Sequence, residues 1–92
     1  MLKVRFTTKF KKDLRKAKKQ AVYDEKILTS VIDTLMRGEP LDEKYLDHEL
    51  VGKGYAGSRE CHLKPDWLLV YKIEKDILEL LLLRLGSHSE LF

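Results

Sequence analysis

The chain begins with a short segment in which apolar and charged residues alternate. Residues 2–6 (LKVRF) carry apolar side chains at every second position, with a lysine and an arginine between them. A period of two is typical of a strand that buries one face. We therefore predict a first strand over residues 2–6.

The next segment has the spacing of an amphipathic helix. Phe10, Leu14 and Ala17 recur every three or four residues beneath a basic run, residues 9–19 (KFKKDLRKAKK). The two threonines before this run offer hydroxyl oxygens that can accept from the free amides of a first helical turn. This pattern predicts a first helix with a basic outer face.

A second helix is predicted after Asp24, which is a suitable N-cap residue. The helix should end near Gly38 and Pro40, because both residues disfavour its continuation. One apolar stripe runs along it, formed by Ile27, Leu28, Val31, Ile32, Leu35 and Met36.

Residues 39–58 lose this periodicity and contain three glycines and the first histidine, His48. We interpret this segment as a long connecting loop. Long loops in small domains often carry functional residues on a rigid scaffold, so the segment is a candidate part of a site.

Three apolar runs follow, at residues 59–63, 67–74 and 77–85, with short turns between them. They predict an antiparallel meander. The last run is rich in leucine, but its short turn from the preceding strand favours a hairpin over a helix. The predicted order β-α-α-β-β-β defines an α+β fold, in which two N-terminal helices pack on one face of a small, mainly antiparallel sheet.

Composition is consistent with one folded domain over residues 1–92. Hydrophobic residues make up 43% of the chain and charged residues 36%, which excludes a disordered polymer. No segment approaches the roughly 20 apolar residues that span a bilayer. The first ten residues also lack the continuous apolar run of a signal peptide. We expect a cytoplasmic protein without a membrane segment. Its one cysteine excludes an intramolecular disulfide.

Positive charge is concentrated in the predicted first helix. Residues 9–19 contain seven lysines and arginines against one aspartate, and the net charge of the chain is +3. Such a surface attracts a phosphate backbone or an acidic protein segment, and a merely solvated helix face is equally compatible with it. Lys11, Lys12 and Arg15 are the candidate contacts on this helix.

The three histidines lie in irregular segments or at strand ends, where side chains can form a site. Histidine can accept and donate a proton near neutral pH, and metal-free RNA cleavage requires both transfers. Cations must also offset the charge that develops at phosphorus. The candidates for proton transfer are His48, His62, Asp66 and His88, and the candidate cations are Arg59, Arg84 and Lys64.

Other roles for these residues remain open. The histidines can equally be ordinary surface or capping residues. Trp67 and Phe92 can stack on nucleobases or anchor the core. Strand alternation places Arg59 and His62 on opposite faces, and Cys61 beside His62 is best interpreted as a small core residue. We expect no metal or other cofactor, because the chain has no CxxC or HxxxH pair.

Three segments resemble the YafQ branch of the RelE-type toxins of type II toxin-antitoxin systems. They are residues 39–54 (EPLDEKYLDHELVGKG), 59–73 (RECHLKPDWLLVYKI) and 82–92 (LLRLGSHSELF). The loop VGKGYAGSRE departs from the usual pattern, because it is one residue longer and has Tyr55 near a position where many relatives have tryptophan. This departure leaves the sequence preference of any site undefined.

The resemblance implies a RelE-like fold and a ribosome-dependent endoribonuclease that cleaves translated mRNA in the ribosomal A site. It further implies a cognate antitoxin as partner and operator DNA bound by the toxin-antitoxin complex. His88 would be the chief general acid or base, His48 or Asp66 its counterpart, and His62 an orienting residue. Carried over by position, the site residues are His48, His62, Asp66, Trp67, Arg84, His88 and Phe92, with Arg59 as a supporting cation.

Two other functions fit the same scaffold. A toxin of the related ParE type inhibits DNA gyrase by binding and does not need the histidines or Asp66. A catalytically inactive module would retain antitoxin or nucleic-acid binding without cleavage. Gyrase supercoiling and an RNA cleavage assay with His88→Ala discriminate these alternatives.

Overall fold

The computed structural model describes residues 1–52 and 54–92. It contains five strands and three helices, together with a single 3-10 turn over Glu43–Tyr45. The strands are β1 (Lys3–Phe6), β2 (His48–Glu49), β3 (Arg59–Lys64), β4 (Trp67–Glu74) and β5 (Glu79–Gly86), and the helices are α1 (Thr8–Ala17), α2 (Glu25–Met36) and α3 (His88–Leu91).

All strands belong to one sheet with the order β1-β5-β4-β3-β2. Strand β1 pairs with β5 in parallel, and every other pair is antiparallel. The predicted α+β class and meander are therefore confirmed. The predicted order lacked β2 and α3, because elements of two and four residues are too short to show a period.

The helix starts follow from local hydrogen bonds. The Thr7 hydroxyl accepts from the amide of Phe10 at 3.2 Å and also donates to the carbonyl of Leu82 at 2.8 Å, so it caps α1 and ties it to β5. Asp24 caps α2 by accepting from the amide of Ile27 at 3.2 Å. Gly38 takes a left-handed φ of +72° just after α2, as a helix-terminating glycine does.

The main core lies between α1, α2 and one face of the sheet. Phe10 and Val31 from the helices meet Leu69, Tyr71 and other side chains of the central strands. Leu2, which precedes β1, and Val4 pack against this core, whereas Phe6 is half-exposed and contacts Phe10. The prediction that Phe6 is buried was therefore wrong, because β1 is an edge strand.

Cys61 is fully buried in the core, as predicted. Burial raises the pKa of the thiol to about 12, so the side chain stays neutral and is a poor nucleophile at pH 7. None of the helices in residues 1–52 and 54–92 has both the length and the hydropathy that a membrane span requires.

The opposite face of the sheet carries a smaller cluster. Leu68 and Val70 from β4 contact Leu91 of α3, and Tyr55 packs beside them. Helix α3 folds back over this face after Gly86, where an added Cβ would lie 3.1 Å from the Glu90 carboxylate and 3.3 Å from Leu91. Glycine therefore permits the close return of the chain that brings His88 to the sheet.

Candidate active site

The open face of the sheet brings together the three histidines. Strand pairing places His48 opposite Glu60, Glu60 opposite Val70, and His62 opposite Leu68, so all of them share the face that α1 and α2 leave free. The ring centroids of His48 and His62 are 6.1 Å apart, and those of His62 and His88 are 5.6 Å apart. Residues 40 positions apart in sequence thus form one continuous row.

Glu60 lies between the first two histidines. Glu60 is only 4% exposed, and its Oε1 lies 3.5 Å from His48 Nε2 and 3.4 Å from His62 Nε2. The other ring nitrogens, Nδ1 of His48 and of His62, lie 2.8 and 3.3 Å from the carbonyls of Leu46 and Pro65. Because a carbonyl only accepts, each Nδ1 is the donor, and both Nε2 atoms face the carboxylate. This geometry favours a shared proton or a cation among the three atoms.

The same three side chains could hold a metal ion. One ligand atom from each of His48, Glu60 and His62 lies within 4.8 Å of the others. Two imidazoles and a carboxylate suit zinc or copper, and hydrogen bonds from Nδ1 to carbonyls are typical of metal-binding histidines. The absence of a CxxC or HxxxH pair in the sequence predicts no metal site. That prediction does not cover this cluster, because its donors come from two neighbouring strands.

Asp66 orients His88 at the next position in the row. Its Oδ1 accepts from the His88 amide at 3.0 Å and lies 2.8 Å from His88 Nδ1. These two hydrogen bonds hold the pKa of Asp66 below its usual range, the backbone amide contributing most. The carboxylate fixes the ring and leaves Nε2 of His88 free for proton transfer. Asp66 therefore fits an orienting role better than that of a general base.

Helix α3 is anchored by a residue that the sequence reasoning did not single out. Glu90 forms an ion pair with Lys16 of α1 at 2.7 Å and accepts from the Ser87 amide at 2.9 Å. These contacts, with Lys16 foremost, lower the pKa of Glu90 to about 2. Ser87 and Glu90 form a capping box, whose S-x-x-E spacing is visible in the sequence at residues 87–90 and could have identified it.

Aromatic residues border the histidine row on the side of α3. The rings of His88 and Phe92 have centroids 6.5 Å apart, and Tyr55 meets Phe92 edge-on at 5.3 Å. Phe92 is 57% exposed, so its ring is accessible for stacking on a nucleobase. Tyr55 belongs to the loop in which the sequence departs from the family pattern, and the structure places it next to this ring.

Arg84 lies on the same face at the far end of the site, opposite Val70. Its guanidinium is paired with Asp13 at 2.7 Å, and this hydrogen bond raises the pKa of Arg84, so the group stays positively charged. The side chain borders a cavity of about 550 Å³ together with Tyr55 and Lys9. Arg84 can therefore contact a phosphate at the rim, with its orientation set by Asp13.

Two predicted site residues do not reach this face. Arg59 lies on the helix side of β3, where it pairs with Asp47 at 3.1 Å beside Tyr71, so the structure does not bring it to the histidine row. Trp67 is 1% exposed and packs edge-on against Tyr23, so it cannot stack on RNA. Strand alternation explains both outcomes, because odd-numbered residues of β3 and β4 face the core.

The remaining candidate cations are distributed around the site. Lys64 lines a cavity together with His62, and its ammonium donates to the carbonyl of Val22 at 2.8 Å. Lys11, Lys12 and Arg15 are exposed on α1. They form a basic surface beside the site and are separate from the histidine row.

Comparison with known proteins agrees with the fold. Residues 2–92 match the family described as "Bacterial toxin of type II toxin-antitoxin system, YafQ". The chain is 32% identical over 92 residues to the mRNA interferase toxin YafQ of Escherichia coli K12, covering 97% of this chain and 94% of that protein.

Solved structures give the same result. A metal-bound toxin from Helicobacter pylori is 51% identical, with a TM-score of 0.92 and complete coverage of both chains. The Escherichia coli DinJ-YafQ complex includes a chain that is 31% identical, with a TM-score of 0.87 and coverage of 100% of this chain and 99% of that one.

The fold is thus that of a class of small bacterial toxins from type II toxin-antitoxin systems. Within that class, the chain belongs to the YafQ family. The resemblance seen in the sequence is confirmed.

Proposed function

We propose that this toxin is an endoribonuclease that cleaves messenger RNA while the ribosome translates it, in the A site. The observation that carries the proposal is the convergence of His48, His62 and His88 on one open face of the sheet. The name of the Escherichia coli relative, an mRNA interferase, supports the same substrate.

Cleavage would proceed by attack of the 2′-oxygen on the adjacent phosphorus. The 2′-hydroxyl gives its proton to the cluster of His48, Glu60 and His62, and the new bond from oxygen to phosphorus forms as the bond to the 5′-oxygen breaks. His88 gives the proton on Nε2 to that leaving oxygen. The products are a 2′,3′-cyclic phosphate and a 5′-hydroxyl, and no redox partner is needed.

Each neighbouring group supports one part of this reaction. Asp66 holds the His88 ring in place through Nδ1, as a carboxylate next to a catalytic histidine does. Arg84 offsets charge on the phosphate from the rim, and Phe92 stacks on a base. A zinc or copper ion held by His48, Glu60 and His62 would supply Lewis acidity, which the proposed proton transfers do not require.

We further propose a cognate antitoxin as the partner in the cytoplasm, and operator DNA as a ligand of the toxin-antitoxin complex. The crystal structure of the DinJ-YafQ complex supports the first part, because its YafQ chain has the same fold. The exposed Lys11, Lys12 and Arg15 of α1 offer a surface that is complementary to an acidic segment.

The test is 5′-end mapping of a defined messenger in a translation extract. The unmodified protein should produce discrete in-frame cuts, which His88→Ala abolishes and the control Lys75→Ala, in the exposed β4–β5 turn, preserves. Fragments that end in a 2′,3′-cyclic phosphate are expected. Fragments that end in a 3′-hydroxyl would contradict attack by the 2′-oxygen, and an intact messenger together with inhibited gyrase supercoiling would favour a ParE-type activity.

A further inference from the structure

We propose that a cavity beside His62 is the subsite for a nucleobase next to the cleaved phosphodiester, an inference that rests on the proposed ribonuclease function. This His62 pocket has a volume of about 460 Å³. Its walls are apolar and its rim is basic. Besides His62, its lining includes Ile27, Tyr45, Leu46, Pro65, Lys44 and Lys64.

The pocket is continuous with the histidine row. His62 belongs to both, since its Nε2 faces Glu60 while its ring lines the cavity. The Pro65 carbonyl, which lies 3.3 Å from His62 Nδ1, fixes the ring between the two. A nucleotide whose phosphate lies against the histidines therefore has its base within reach of the pocket.

The chemistry of the walls suits a planar, partly apolar group. Tyr45 supplies an aromatic ring, and Leu46 and Pro65 supply aliphatic surfaces. Leu46 is 61% exposed and has a left-handed φ of 50° at the end of the 3-10 turn, a position that glycine or asparagine fills with less strain. Leu78 in the β4–β5 turn has the same exposure and a similar left-handed φ. What sets Leu46 apart from Leu78 is therefore its place in the wall of the cavity.

Charge favours a nucleotide over an apolar peptide side chain in this pocket. The ammonium of Lys44 lies 5.2 Å from the centre of the Tyr45 ring, and Lys64 adds a second cation at the rim. Two cations beside an aromatic ring match the combination of base and phosphate in one nucleotide. An apolar segment of the antitoxin would use the walls and make no contact with the Lys44 ammonium at the rim, whereas the Lys64 ammonium already donates to the Val22 carbonyl.

The experiment maps cut sites on messengers with randomised codons in a translation extract. Leu46→Asn is the main variant, because asparagine tolerates the left-handed backbone and keeps the Leu46 carbonyl that accepts from His48. Leu78→Asn is the matched control, with equal exposure and φ on a distant turn. Tyr45→Ala removes the aromatic wall, and urea unfolding verifies that each variant is folded.

We expect Tyr45→Ala to reduce the base preference next to the cut by about 5-fold to 150-fold, the range that loss of one aromatic stacking contact produces. Leu46→Asn should reduce the same preference, because it replaces an aliphatic wall of the pocket with a polar side chain. Leu78→Asn should retain the preference of the unmodified protein. Cutting by Leu46→Asn with an unchanged preference would overturn the subsite and leave the ribonuclease function intact.

Two other results are also decisive. If Leu46→Asn keeps its cutting preference but becomes tenfold less sensitive to the antitoxin, the pocket belongs to the antitoxin interface and the nucleotide proposal is wrong. If the unmodified protein makes no cuts, the ribonuclease function fails, and the subsite fails with it.

Discussion

Asp47 should couple the core to the candidate active site, and its removal should destabilise the fold measurably. The carboxylate accepts from the Tyr71 hydroxyl at 2.5 Å and from Arg59 Nη2 at 3.1 Å. It also immediately precedes His48 in the chain. These bonds tie the loop before β2 to the helix side of the sheet and thereby hold His48 opposite Glu60.

The size of the effect follows from the burial of each partner. Tyr71 is buried, and a hydrogen bond from its hydroxyl to a charged acceptor contributes about 1.5–3 kcal/mol. The Arg59 side chain is partly exposed, so its ion pair contributes only about 0–1 kcal/mol. We expect Asp47→Ala to lower the free energy of unfolding by about 1.5–4 kcal/mol, once both contributions are included.

A double-mutant cycle measures this coupling directly. The free energy of unfolding in urea is determined for the unmodified protein, Asp47→Ala, Tyr71→Phe and the double variant. The coupling energy between the two side chains should be about 1.5–3 kcal/mol. A coupling below about 0.5 kcal/mol, within the additivity error of independent sites, would refute the reasoning.

The same variants test the link to the site. Asp47→Ala should also lower the rate of RNA cleavage at temperatures where it remains fully folded, because His48 loses its fixed position. Asp47→Asn keeps the shape and a neutral hydrogen bond to Tyr71, and should restore part of the rate. Full activity of folded Asp47→Ala would show that β2 is held without this network.

Three further predictions concern α3 and the Glu60 cluster. The pKa of Glu90 is lowered to about 2, so the charged carboxylate stabilises the fold fully above about pH 4.5 and progressively less as the pH falls towards 2. The difference in Tm between the unmodified protein and Glu90→Gln should therefore vanish over that pH interval. Gly86→Ala should displace α3 and reduce cleavage at least about 10-fold with a normal core, as near-UV circular dichroism can verify. Glu60→Gln should weaken zinc or copper binding, measured by calorimetry, by more than about 100-fold, because loss of an outer hydrogen-bond partner alone costs about 10-fold to 100-fold. Equal affinity would exclude the donor set of His48, Glu60 and His62.

Local patterns in the chain were sufficient for most of the scaffold. The alternation in residues 2–6, the caps at Thr7 and Asp24, and the glycine after α2 each depend on groups a few residues apart. Alternation along β3 likewise predicts that His62 and Arg59 lie on opposite faces of the sheet, as the strand pairing shows. Such interactions operate within one turn or one strand, so the sequence displays them directly.

Local sequence patterns predicted the candidate site only in part. His48, His62, Asp66 and His88 were identified from their chemistry, whereas Glu60 was seen only as a neighbour of His62 on the strand. Its importance comes from the pairing of β2 with β3, which places His48 opposite it. A strand of two residues leaves no periodic signal, so this pairing could not be predicted.

The sequence by itself therefore determined the order of the main elements, the faces of α1, α2 and β3, and the set of groups available for proton transfer. The tertiary structure decided that Trp67 fills the core, that Arg59 binds Asp47 on the helix side, and that the histidines meet around Glu60. The physical reason is the range of the interactions. Helix caps and side-chain alternation act between near neighbours, whereas the position of a side chain in a site depends on which distant strands pair to bury a common core.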